Sequence, residues 1–258
     1  MRVLRALSLY QERNSVVHRV DPVSKLFYIA AAVAIPVILP TRTIALACLL
    51  CSVVLLLLGK VFRKVIPIIG FSFILLLSII IIQGLFKPEN ETPLFHIGSL
   101  IFYKEGLLYA LQLCIRVLDI LCAFAILVLT TKPSDLIESL VRRGLSPKIG
   151  YVLSSVLQII PQMTATMETI MDAQRSRGME TEGKLSVRIK AFVPLIGPVV
   201  MNSLVSTRER ALALEVRGFN SKTKKTFLNE EINSAYNLVI KVVLVALVIF
   251  SIVWRIAV

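Results

Sequence analysis

Val65–Phe86 reads VIPIIGFSFILLLSIIIIQGLF, 22 residues without a single charge. A helix rises about 1.5 Å per residue and the hydrocarbon core of a bilayer is about 30 Å thick, so this stretch is long enough to cross it. Working outward, four further apolar stretches follow the same logic. Leu26–Leu39 and Ile44–Leu58 are shorter and are separated only by Pro40-Thr41-Arg42-Thr43, which predicts a tight hairpin of two helices. Leu107–Thr130 is long enough but carries Arg116 and Asp119. Asn237–Val258 closes the sequence, with Lys241 and Arg255 near its ends, where long cationic side chains snorkel to the interface. Over 258 residues, 56% are hydrophobic and only 17% charged, with a mean hydropathy of +0.80. That is too apolar for a soluble domain of this length. The expected fold is an all-α polytopic membrane protein with about five transmembrane helices.

The formal net charge is +13. Nucleic acid is not the expected partner, because many cations flank apolar spans and no stacking aromatics are interleaved with them. The charges instead set orientation. Lys60, Arg63 and Lys64 lie between the second and third spans, whereas the first hairpin loop has only Arg42. Basic loops stay on the cytoplasmic side, so the N-terminus is expected inside and the loop Lys87–Gly106, with Pro88, Glu89, Asn90, Glu91 and Pro93, outside as a polar turn. Met1–Val20 carries Arg2, Arg5, Arg13 and Arg19 but no apolar core followed by a cleavage site, and reads as a retained cytoplasmic arm. The predicted organisation is an arm over 1–24, four membrane helices over 25–131, a cytoplasmic helical segment over 132–234 and a final membrane helix over 235–258. Residues 131–227 hold 15 Lys/Arg against 8 Asp/Glu.

Helix punctuation inside that segment is legible. Ser134 after Pro133 is the expected N-cap of a short amphipathic helix, closed by Arg142-Arg143-Gly144 ahead of Pro147. The next helix begins near Pro147 and runs towards Arg177, with Met163, Met167, Ile170 and Met171 along one stripe and Gly178 as its stop. A third, bent or interrupted around Pro194 and Pro198, runs to Arg217 and Gly218. Ile149–Met167 and Ala191–Val205 are free of charge, and two crossings there would preserve the overall parity. Polar dilution of the first and the shortness and prolines of the second favour amphipathic helices at the cytoplasmic membrane face.

Catalytic and metal chemistry find little support. Cys48, Cys51, Cys114 and Cys122 all lie in apolar runs and read as small core residues, the C-x-x-C of the first two lacking a second ligand pair. His18 and His96 are far apart, and there is no Gly-rich phosphate loop, G-x-S-x-G or H-E-x-x-H. No cofactor is expected.

Two constellations remain. Arg177-Gly178 and Arg217-Gly218 stand 40 residues apart (217 − 177), with Ala173 matching Ala213 at the same offset and a large apolar residue, Met179 or Phe219, following each pair. A single Arg-Gly is usually an ordinary helix cap, since cations favour helix C-termini and Gly the position after them. Arg142-Arg143-Gly144 is read that way. The repeated pair, each an arginine beside an exposed apolar knob, suits docking into an acidic groove on a soluble partner. Arg116 and Asp119, at i and i+3 within a span, are expected to form an intramembrane ion pair. The competing reading is a self-contained secondary transporter or channel using those two residues. A membrane enzyme acting on lipid phosphates is a third class, with no recognisable nucleophile or metal set behind it.

The sequence resembles the transmembrane T component of energy-coupling factor transporters, the ABC-type importers of vitamins and transition-metal ions found in prokaryotic plasma membranes. Ser15-Val16-Val17-His18-Arg19-Val20-Asp21-Pro22-Val23-Ser24-Lys25-Leu26 is similar to the family's leucine/histidine, Asp-Pro-Arg-Thr-Lys-Leu phrase, with Val23 and Ser24 in place of Arg-Thr. Ser176-Arg177-Gly178 and Val216-Arg217-Gly218 are similar to its two Ala-Arg-Gly/Ser motifs, with both alanines replaced. The resemblance covers essentially the whole chain. It implies a non-enzymatic coupling device. Ser176, Arg177, Gly178, Val216, Arg217 and Gly218 would dock on two ABC ATPase subunits that hydrolyse the ATP. The apolar faces of the coupling helices, including Met163, Met167 and Met171, would hold a separate substrate-binding membrane subunit.

Overall fold

Asp21 and Pro22 set the start of the first long helix by local chemistry. Proline has no N–H to lose at the first helical position, and the Asp21 carboxylate accepts the free Val23 N–H at 3.3 Å. The computed structural model describes residues 10, 13, 15–86, 92–97, 100–178, 185–221, 223, 226–227 and 235–257. The arm residues Arg2 and Arg5, the loop residues Glu89, Asn90 and Glu91, and Met179 lie outside them. Nine helices are found among the described residues: α1 (Val16–Arg19), α2 (Pro22–Ile38), α3 (Arg42–Leu58), α4 (Phe62–Phe86), α5 (Lys104–Thr130), α6 (Pro133–Arg142), α7 (Pro147–Ser176), α8 (Leu185–Val216) and α9 (Ala235–Ala257). The architecture is all-α, as the sequence predicts. Three helices, α4, α5 and α9, are long and apolar enough to cross a membrane, and α2 and α3 are shorter apolar helices.

One element departs from expectation. The polar turn at 87–106 contains a short antiparallel hairpin, β1 (Pro93–Ile97) paired with β2 (Leu100–Tyr103), with a bulge between Pro93 and Phe95. Phe102 is buried against Gly84 of α4, where a Cβ would stand 3.0 Å from its ring. The absence of a side chain at Gly84 is what admits the ring.

The chain divides into two compact units. In the unit comprising Leu9–Leu140 and Glu231–Val258, α5 packs against α2, α3 and α4, and α9 packs against α2. The core side of α5 is lined by small residues, Ala110, Cys114, Cys122, Ala123 and Ala125, all buried. Small side chains let helix backbones approach closely where lipid, as apolar as the protein, gives no hydrophobic drive to associate. Val17, Leu56, Val61, Val65, Ile126 and Leu129 join Cys122 and Ala125 in the main cluster. The cysteines split: Cys114 and Cys122 are core residues, whereas Cys48 is half-buried and Cys51 exposed, which corrects the expectation for that pair; all four are free thiols.

In the unit comprising Val141–Glu230, α7 and α8 pack on each other. Helix α8 runs through Pro194 and Pro198 without a break, so of the expected bend or interruption the interruption does not occur. Helix α6 begins at Pro133 itself, and the carbonyl of Lys132 accepts the N–H groups of Asp135 and Leu136. Lys132, not Ser134, is therefore the residue ahead of the helix; Ser134 Oγ donates to Asp135 Oδ1 instead.

Candidate coupling site

Both Arg-Gly pairs end their helices in one geometry. Helix α7 stops at Ser176, and Gly178, at φ +88°, donates its N–H to the Arg175 carbonyl at 2.9 Å. Helix α8 stops at Val216, and Gly218, at φ +69°, donates to the Glu215 carbonyl at 2.9 Å while Phe219 N–H reaches back to the Leu214 carbonyl at 2.9 Å. The second is a full Schellman closure. Nothing lies within 4 Å of where a Cβ would stand at either glycine, so the left-handed backbone, and not crowding, calls for glycine there. Arg177 and Arg217 are exposed, and among the described residues neither is engaged in an ion pair. Ser176 Oγ is turned back onto the Asp172 carbonyl at 3.1 Å, and Val216 is 89% exposed. Gly144 takes a similar left-handed conformation at φ +114° past the end of α6 and donates its N–H to the Val141 carbonyl at 3.2 Å.

The helix pair holds the two arginines apart. Gln162 of α7 accepts from Arg210 of α8 at 2.5 Å, and Tyr151 near the start of α7 meets Phe219 beyond the end of α8 with ring centroids 5.4 Å apart. The two helices are therefore antiparallel, and Arg217 lies towards the end of α7 opposite Arg177. The 26 residues between Tyr151 and Arg177 (177 − 151) rise at most about 39 Å. Phe219 is half-buried by that ring contact, so it is not the exposed knob the sequence suggests. Met163, Met167 and Met171 are likewise half-buried, Met163 lining a groove between the two helices with Gln162, Thr166, Ser203, Ser206 and Arg210. The open apolar surface sits elsewhere: Val152, Val156 and Ile160 on α7, and Ile196, Val200 and Leu204 on α8. Their i, i+4, i+8 spacing on each helix was the signal for it.

Arg116 and Asp119 do not pair with each other. Arg116 Nη2 donates to the Pro36 carbonyl in the last turn of α2 at 2.6 Å, beside Gln112 Nε2, which donates to the Pro40 carbonyl at 2.5 Å. Asp119 is fully buried and accepts from Ser52 Oγ at 2.6 Å, and Ser52 Oγ in turn lies 2.6 Å from the Tyr28 hydroxyl. Each side chain finds one hydrogen-bond partner on another helix, which tertiary packing makes available and an i, i+3 pattern cannot reveal, while Arg116 Nε and Asp119 Oδ2 stay buried without one among the described residues. Lys241 does not snorkel either; its Nζ stands 2.8 Å from Asp21 Oδ2.

A sequence profile of the CbiQ family, described as cobalt transport protein, matches residues 13–227. The energy-coupling factor transporter transmembrane protein EcfT of Brevibacillus brevis is 30% identical over 97% of this chain and 98% of its own length. The chain belongs to this family of T components. Proteins of the same description from Streptococcus equi, 29% identical over 92% of this chain and 93% of their own, and from Listeria innocua, 31% over 85% and 86%, are similar to it across the same extent. As an energy-coupling transporter component, the T component meets its family phrase with a distinct local structure: Asp21 caps α2, and Lys25 reaches the end of α5.

Proposed function

We propose that this T component couples two ABC ATPase subunits to a substrate-binding membrane subunit, for uptake of vitamins or transition-metal ions. The observation that carries the reading is the matched pair of exposed arginines, each on a left-handed glycine cap and held at opposite ends of the α7–α8 pair. Ser176-Arg177-Gly178 and Val216-Arg217-Gly218 each serve one ATPase. A guanidinium at a helix end offers a planar fork of donors to a carboxylate-lined groove, and the capped backbone beneath it is already ordered. Two separated tips fit two separate sites. ATP-driven movement of the ATPases then changes the disposition of α7 and α8, whose exposed apolar rows, flanked by Met163, Met167 and Met171, grip the substrate-binding subunit.

In this reading the chain is multi-pass with its N-terminus in the cytoplasm. The arm 1–24 and the coupling segment 132–234 are cytoplasmic, 25–131 supplies four membrane helices and 235–258 the last. ATP hydrolysis belongs to the partners. The test is purification of the full chain from its native membrane in gentle detergent, with mass spectrometry of accompanying proteins, beside the double variant Arg177→Ala, Arg217→Ala. ABC ATPases present with the native chain and lost from a variant that still inserts are the expected result. Normal ATPase recovery in the variant would sink the docking assignment, and uptake by the isolated chain in vesicles without ATP would favour a secondary transporter.

A further inference from the structure

The phrase Asp21–Lys25 touches both ends of the segment proposed to couple. On one side, Lys25 Nζ donates to the Thr130 carbonyl and to Thr131 Oγ1, each at 3.0 Å, at the last turn of α5 just before the chain leaves for α6. On the other, Asp21 Oδ2 accepts from Lys241 Nζ at 2.8 Å, Asp21 N–H donates to Asn237 Oδ1 at 3.3 Å, and Ser24 Oγ donates to the Asn237 carbonyl at 3.5 Å, all in the first two turns of α9. Asp21, Ser24, Lys25, Thr130, Thr131 and Asn237 are buried.

These contacts are chemically well matched. The carbonyls in the last turn of α5 lack intrahelical donors, and an ammonium satisfies them while complementing the helix dipole. Asp21 is acceptor-only when ionised and accepts from Val23 N–H and from Lys241. Helix α9 buries only 11% of its most apolar window within the protein. It packs on α2 and leaves most of its apolar surface outside the protein, and in lipid polar contacts between helices add to that packing in fixing position.

We infer that Asp21–Lys25 is a clasp that fastens the exit of α5 and the start of α9 through α2, so that force on the intervening segment reaches the membrane helices instead of parting them. Asp21, Lys25, Asn237 and Lys241 are positioning residues. The inference rests on the coupling reading above, and its test separates the two.

Spin labels at Ser134 and Leu238, on a chain with Cys48, Cys51, Cys114 and Cys122 replaced by alanine, report the separation of the two ends in the complex purified with its ATPases. It is measured without nucleotide and with ATP plus vanadate. In the otherwise native chain the distance is expected to be the same in both states. Asp21→Lys and Lys241→Asp should each make it shift with nucleotide, and the double exchange should abolish the shift. A merely structural role would broaden the distribution equally in both states. If Asp21→Lys does not assemble, Asp21→Asn, which retains the cap acceptor, takes its place with the same expectation. A separation in the single variants that ignores nucleotide, or one that moves in the native chain, overturns the clasp. Failure of the native chain to carry ATPases at all would instead overturn the coupling reading.

Discussion

Arg116 completes a helix it does not belong to: its Nη2 donates to the Pro36 carbonyl at 2.6 Å, the acceptor that residue 40 would serve were it not a proline. The relationship explains why a cation sits in an apolar helix. Arg116→Ala leaves that carbonyl without a donor and is expected to destabilise the protein by about 2 kcal/mol, the range for a hydrogen bond to a charged group. Pro40→Ala in the same chain supplies an N–H and should recover part of the loss. Denaturant unfolding in detergent measures both, and additivity of the two changes would refute the account.

Asp119 anchors a polar chain linking three helices, Asp119 of α5 to Ser52 of α3 to Tyr28 of α2. Asp119→Asn keeps an oxygen for Ser52 and is expected to leave stability within about 1 kcal/mol of the parent. Asp119→Leu removes the acceptor of Ser52 and leaves the Ser52–Tyr28 pair one bond short in an apolar core, which should cost about 2 kcal/mol. Equal losses for the two variants would rule out the hydrogen-bonded chain.

Lys60 holds a left-handed conformation, φ +56°, at the end of α3, where its N–H closes onto the Leu57 carbonyl at 2.9 Å. A side chain there costs about 1 kcal/mol relative to glycine. Lys60→Gly should therefore stabilise by up to about 1 kcal/mol, and the carbonyl of residue 60 still accepts from Arg13. A fall in thermal midpoint would contradict this.

At Gly218 the sign reverses. Gly218→Ala is expected to cost about 1 kcal/mol, and Gly218→Asn less, because asparagine tolerates the left-handed region. Since no neighbour crowds the site, the effect should appear as fraying of the last turn of α8, read by amide exchange at Phe219, with the rest of the helix unchanged.

Much of the fold was readable because its signals are local. Pro147 opens α7 and Gly178 stands just past its cap, and the charge-free run at Val65–Phe86 needs only length and hydropathy. The hairpin was also signalled, by Gly98-Ser99 between the β-rich runs PLFHI and LIFY, but the prolines and acids preceding it dominated the reading. What sequence could not supply were pairings at long separation. Lys241 finds Asp21 from 220 residues away, and Asp119 finds Ser52 from 67, so both were assigned to the nearest local option, lipid interface or neighbouring charge. Of the candidate site, the caps were legible and the antiparallel placement of the arginines was not, because it depends on how α7 and α8 meet.

That meeting secures the two arginine-bearing ends by bonds of different kinds. Arg177 is tied to α8 by the peptide chain itself, which reaches Leu185 after seven intervening residues (178 to 184). Arg217 is held to α7 beside it only by noncovalent contacts, among them the Gln162–Arg210 hydrogen bond and the Tyr151–Phe219 ring pair, the latter worth about 1 kcal/mol. A covalent tether does not dissociate under thermal load, whereas a contact of that size opens constantly. The two ends therefore answer to different limits: the linker caps how far the end at Arg177 can part from the start of α8, and the ring pair sets how readily the end at Arg217 loosens from α7.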